Sequence, residues 1–274
     1  MQLLIEHGAD VNALDGNSKT PLHLAFPWVS VKTARLLLQH MADVREQDHD
    51  YASASHKRKR NANGKTAQVP PNQKVVWLLI KHGADVNVLD GNSKTPLHLA
   101  LSWKMAETSR LLIKHGADVN IQDGDHSTPL GLASSLWDLK TTRLLIEHGA
   151  DVNALDGSNE TPLHLASSMG RTKAVRLLIE NGAVVNALDG NGKTPLHRAS
   201  FSRRSKTTQL LIKHGADVNA QDGNRSTPLH LASLSKSPQT IRLLIEHGAD
   251  VKARDGSDKT PLHLIVSQVS VESV

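Results

Sequence analysis

The hydrophobic positions of this chain fall into a short cluster and a longer one, separated by polar residues, and the pair then recurs. Between Asp156 and Leu188, the short cluster is Leu163, Leu165 and Ala166, and the longer one is Ala174, Val175, Leu177, Leu178 and Ile179. Both show the spacing of an apolar stripe on a helix, not the alternation of a half-buried strand. Local chemistry sets the ends. Thr161 is a good N-cap, and Pro162 suits the first helical position, where no amide donor is required. Gly170 and Arg171 interrupt the first helix, and Gly182 suits the position just past the end of the second. Asp156-Gly157 predicts a tight turn that tolerates positive φ. Val184-Val185-Asn186-Ala187 reads as a short extended return to the next turn, at Asp189-Gly190. The predicted unit is turn, short helix, turn, longer helix, extended return.

This pattern has a period. Thr-Pro recurs at Thr95, Thr128, Thr161, Thr194, Thr227 and Thr260 in steps of 33, and an earlier copy at Thr20 lies 75 residues upstream, one 33 plus one 42. Neither helix of a unit can bury its apolar face alone, so the units must stack. The expected division is a half unit over 1–14, units over 15–47, 48–89, 90–122, 123–155, 156–188, 189–221 and 222–254, and a half unit over 255–274. Because the pattern starts and stops in mid-period, the chain is expected to be a segment of a longer protein or an imperfectly bounded gene product. Unit 48–89 departs most: it is 42 residues long, lacks Thr-Pro-Leu-His and carries the run His56 to Arg60. An exposed insertion there, followed by an intact second helix at Val75 to Ile80, is the expected weak point. Polar pairs Thr108-Ser109, Thr141-Thr142 and Thr207-Thr208 stand where the second helix would bury aliphatics, which predicts modest stability.

The segment Thr161-Pro162-Leu163-His164-Leu165-Ala166, followed by Leu177-Leu178-Ile179-Glu180-Asn181-Gly182-Ala183, resembles the ankyrin repeat, and the 33-residue period agrees. The resemblance covers nearly the whole chain. It implies an all-α repeat solenoid of stacked, antiparallel helix pairs in an L-shaped arrangement, with β-hairpin loops projecting to one side. It also implies a scaffold or adaptor that docks a protein partner along the hairpin tips and the helix-1 edge.

Composition narrows the chemistry. The chain has no cysteine, so disulfides and thiolate metal sites are excluded. No signal peptide is visible, and the apolar runs are far short of a bilayer span; an intracellular protein, cytoplasmic or nuclear, is expected, without a membrane role. The formal charge is +5, but Lys57, Arg58, Lys59 and Arg60 supply four of it, which leaves the array close to neutral and speaks against nucleic acid. Of the sixteen histidines, thirteen sit at two repeat positions. Stacked helices lie about 8–10 Å apart, too far for equivalent histidines to share an ion whose ligands sit about 2 Å away. They read as hydrogen-bonding residues near helix 1 and as complements to the helix-2 dipole. Asp151 to Gly157 fails the EF-hand spacing, and no catalytic constellation, phosphate loop or HExxH pair appears. The expectation is no enzyme, no cofactor and no metal.

The candidate partner-binding residues are Trp28, Trp103, Trp137, Met169 and Phe201, which cluster at the end of helix 1, with the variable tip residues Lys94, Asp125, Glu160 and Lys193. Aromatic anchors within a polar rim are the pattern of an interface hot spot; the competing reading is that these rings fold over the turn and cover the core. Lys57 to Arg60 fit a nuclear-import or polyanion patch, or a solvated loop. A monomer binding another protein is expected. The alternatives are a nuclear regulator touching nucleic acid through the basic insert, and the targeting arm of a larger multidomain enzyme.

Overall fold

A computed structural model describes residues 2–26, 71–136 and 138–269. Among these, every regular element is a helix. They form two compact bodies, Met1–Asp118 and Val119–Val274. The first holds α1 (Gln2–Glu6), α2 (Pro21–Leu24), α3 (Pro71–Lys81), α4 (Pro96–Ser102) and α5 (Ala106–Lys114). The second holds α6 (Pro129–Ser135), α7 (Leu139–Glu147), α8 (Pro162–Ser168), α9 (Thr172–Glu180), α10 (Pro195–Phe201), α11 (Ser205–Lys213), α12 (Pro228–Leu234), α13 (Pro238–Glu246) and α14 (Pro261–Val269).

The C-terminal body is a regular stack. First helices pack on first helices, in the order α6, α8, α10, α12, α14, and second helices in the order α7, α9, α11, α13. The first helices α6, α8, α10 and α12 each also pack on the second helix that follows. One leucine in each helix from α6 to α13 is wholly buried: Leu130, Leu163, Leu196 and Leu229 in the first row, Leu145, Leu178, Leu211 and Leu244 in the second. Each such side chain contributes roughly 1.5–3 kcal/mol by leaving water. The capping residues act as the sequence predicts. Thr161 accepts from the His164 amide, Pro162 opens α8, and Gly182 takes a left-handed φ of 91° after α9.

Thr108 and Ser109 in α5, Thr141 and Thr142 in α7, and Thr207 and Thr208 in α11 are all buried. Backbone carbonyls absorb part of their polarity: Ser109 Oγ donates to Met105 O and Thr142 Oγ1 to Asp138 O. Thr208 Oγ1 has no partner.

The hairpin loops are closed by two backbone bonds, as from Asp189 N–H to Lys193 O and from Gly192 N–H to Asp189 O, both at 2.9 Å. The Asp189 carboxylate takes the amides of Asn191 and Lys193, at 2.8 and 2.9 Å. Those amides are thereby withdrawn from any ladder, and no strand forms among the described residues.

In the N-terminal body α2 packs against both α3 and α4. Asn12 donates to Gly83 O and His23 Nε2 meets Lys94 O, each across 71 positions. The equivalent bonds of the C-terminal body, Asn153 to Gly182 and His164 to Lys193, each span 29. Thus α3 stands to α2 as second helix to first. The expected boundary between units 15–47 and 48–89, and the run Lys57 to Arg60, lie outside the described residues.

Candidate interaction surface

Two hydrogen-bond relays hold the hairpin tips in register. In the first, Thr161 N–H donates to His164 Nδ1 at 3.1 Å, and Thr161 Oγ1 lies 2.9 Å from the same nitrogen. Nδ1 is therefore an acceptor, and Nε2 carries the proton that it donates to Lys193 O at 2.9 Å. His197 repeats this toward Ser226 O and His230 toward Lys259 O. Burial lowers the pKa of His164 and His197 below 6.5, against the raising influence of their backbone acceptors. In the second relay, Asn186 donates through Nδ2 to Gly215 O and accepts through Oδ1 from Asp217 N–H. Asn120, Asn153 and Asn219 do the same. The histidines are thus structural in the way their periodicity suggests. The asparagines were not legible as a relay, because each partner lies a whole unit away.

With their backbones so fixed, the tips differ in side chain. Asp125 is exposed, and Lys94 and Lys193 are half-buried. Glu160 is tied down: Arg198 Nη2 lies 2.8 Å from its Oε1 and 2.6 Å from Asp189 Oδ2. Arg198 stands where α8 and α12 carry Leu165 and Leu231, so this ion pair replaces an apolar contact on the inner side of the first helices. Burial raises the Glu160 pKa, with Arg198 opposing it.

The apolar candidates stand at the end of helix 1, each about half exposed: Trp103 51%, Met169 46% and Phe201 57%. Trp103 and Met169 occupy the same repeat position, whereas Phe201 is one residue earlier in its unit. Trp28 and Trp137 lie outside the described residues.

Charge on the C-terminal body is segregated, which near-neutrality of the whole array concealed. The edge formed by the turns between first and second helices carries Lys140, Arg171, Lys173, Arg203, Arg204, Lys206 and Lys236. Asp138 is its single acidic residue among the described residues, and the other carboxylates of this body lie in the hairpins or the last turn of a second helix. Two of the arginines are anchored across units, Arg171 Nε to Ser135 O at 2.9 Å and Arg204 Nε to Ser168 O at 3.2 Å. Burial and then the Arg204 charge lower the Arg171 pKa. Arg204 crosses directly over Gly170, where a Cβ would fall 2.6 Å from its Cδ.

The cations stand there against local preference. The position occupied by Gly170, with φ 68°, holds Arg203 at φ 58° and Lys236 at φ 50°. A side chain in that region costs roughly 1–2 kcal/mol. Lys140, Lys173 and Lys206 are each the second residue of a helix, where the positive end of the dipole disfavours a cation by about 0.3–1 kcal/mol.

The repeating Thr-Pro-Leu-His helix, its relay to the next hairpin and the 33-residue stack agree with comparisons to known proteins. Family models for ankyrin repeats match residues 65–156 and 140–222 as one set of copies and 211–265 as another. The chain belongs to the ankyrin-repeat family. Ankyrin repeats are generally protein-interaction modules. Over 109 residues the chain is 34% identical to the mouse B-cell lymphoma 3 protein homolog, covering 39% of this chain and 22% of that one. Over 106 residues it is 35% identical to dog inversin, covering 38% of this chain and 9% of that one. The ankyrin array thus spans a small part of either relative. Among its described residues, no helix is long and apolar enough to cross a membrane.

Proposed function

We propose that this ankyrin array is a scaffold or adaptor that binds a protein partner along its hairpin tips and the helix-1 edge. The observation that carries the reading is the combination of fixed backbone and varied side chain. Histidine relays tie the tips at Lys94, Lys193, Ser226 and Lys259 to the helix before each, while one repeat position of the tips holds Lys94, Ser127, Glu160, Lys193 and Ser226, which vary in charge and shape. At the other end of the first helices Trp103, Met169 and Phe201 present half-exposed apolar surface of the kind that anchors interfaces. Rigid display lowers the ordering cost of binding.

Affinity capture with the whole chain as bait tests this reading, comparing the parent with Trp103→Ala/Phe201→Ala. The expected result is loss of a captured protein from the double variant with an unchanged melting temperature. Capture that survives while the melt falls would make these side chains part of the turn packing and would remove them from the binding face.

A further inference from the structure

The basic edge of the C-terminal body points to the chemistry of the partner. We propose that it docks an acidic, extended segment of a partner protein, with carboxylates set against Lys173, Arg203 and Lys206 and an apolar side chain set against Met169 and Phe201. The inference rests on the interaction-module reading and adds to it a partner class and a second contact surface.

Three observations converge on the edge. Its cations recur in adjacent turns, at Lys140, then Arg171 and Lys173, then Arg203, Arg204 and Lys206, then Lys236. Arg171 and Arg204 are pinned to carbonyls of the preceding unit, which fixes the row before any ligand arrives. The residues are also kept where the backbone favours glycine or an acidic residue. In the N-terminal body the repeat position of Lys173 and Lys206 is occupied by Glu107. The left-handed position at the hairpin tips accepts Ser93, His126, Asn159, Arg225 and Asp258 without pattern, whereas its counterpart in the turns holds Lys104, Arg203 and Lys236 beside Gly170.

An acidic protein segment fits better than nucleic acid. All the carboxylates of the body but Asp138 lie off the edge yet on the same array, so the long-range field that draws a polyphosphate is weak. Phe201 is the single aromatic ring on this edge among the described residues, too few for successive bases to stack on. The alternation of side-chain cations with Met169 and Phe201 suits a chain that presents carboxylates and apolar groups together.

The test is fluorescence anisotropy on the whole chain with three labelled probes: a peptide of about 15 residues mixing Glu, Asp and Leu, its Gln/Leu counterpart, and a single-stranded oligothymidine of similar charge. The acidic peptide is expected to bind at least about tenfold tighter than the neutral one at low salt, and to weaken about tenfold with Arg203→Ser/Lys206→Ser. Phe201→Ser is expected to weaken it further, and Arg203→Lys to retain binding. Arg203→Gly, which relieves the left-handed strain, should raise the melting temperature while weakening the peptide. Equal binding of acidic and neutral peptides, or indifference to the double substitution, would overturn the proposal. Tighter binding of the oligothymidine would overturn it in favour of nucleic acid. Capture of a protein that depends on Trp103 but not on Arg203 and Lys206 would refute this inference while leaving the module reading intact.

Discussion

His164 Nε2 lies 2.9 Å from the carbonyl oxygen of Lys193 in the following unit, and the ring's other nitrogen accepts from Thr161. One neutral imidazole thus caps its own helix and clamps the next hairpin. Protonation would place a hydrogen on Nδ1 facing the Thr161 amide. The folded pKa of His164 and His197 is below the unfolded 6.5. Above that pH both states are neutral and the contribution is complete. As pH falls below 6.5 the unfolded chain takes up protons that the folded one refuses. Stability should then drop by up to about 1.4 kcal/mol per pH unit for each ring, down to its depressed folded pKa. Urea denaturation across pH 7.5 to 5 checks this, and His164→Gln should flatten the slope.

Gly131 takes the place of this histidine in α6, and the relay is absent there. A Cβ at Gly131 would meet Leu165 Cδ1 and Thr128 Oγ1 at 3.4 Å, ordinary contact. Gly131→His should restore the ring to its repeat position and remove a mid-helix glycine that costs about 0.5–1 kcal/mol. The expected outcome is a higher denaturation midpoint.

Ser134, Ser167, Ser200 and Ser233 are fully buried in the first helices with no partner for the hydroxyl. An unsatisfied buried hydroxyl costs roughly 1–3 kcal/mol, and alanine is the better helix former. Ser167→Ala and Ser200→Ala should each stabilise the array by about 1 kcal/mol, with additivity in the double variant. Calorimetry reads this directly.

Since α3 serves as the second helix to α2, the two need only a short connection. In α4 and α5 three residues, Trp103 to Met105, join the pair. Replacing residues 27–70 by two residues should keep the His23–Lys94 and Asn12–Gly83 bonds. It should not lower the melting temperature, and a shorter closure favours the fold by up to about 2–3 kcal/mol. Hydrogen exchange at Gly83, Asp85 and Lys94 follows the joint; loss of protection there would refute it.

Features decided by neighbouring residues were legible in the sequence. Thr161-Pro162 opens α8 and Gly182 follows α9 in the left-handed region, as their chemistry dictates. Features decided across units were not. Asn186 gains meaning through Gly215, and Arg198 through Glu160, both residues that only stacking brings near. The basic edge was hidden for a related reason: summing charge over the array cancels Lys206 against Asp217, which the fold places at opposite ends of a second helix. Reading charge by repeat position would have exposed it. The periodicity of the histidines also predicted their placement beside helix 1, where His164 and His197 are found.

The proposed recognition through the hairpin tips and the helix-1 edge is open to hydrogen–deuterium exchange of the whole chain with and without its captured partner. The prediction is partner-induced protection at the tips around Lys94, Asp125 and Lys193 and at the turns around Trp103, Met169 and Phe201. Protection confined to the outer faces of the second helices, around Arg143, Arg176 and Gln209, would contradict it.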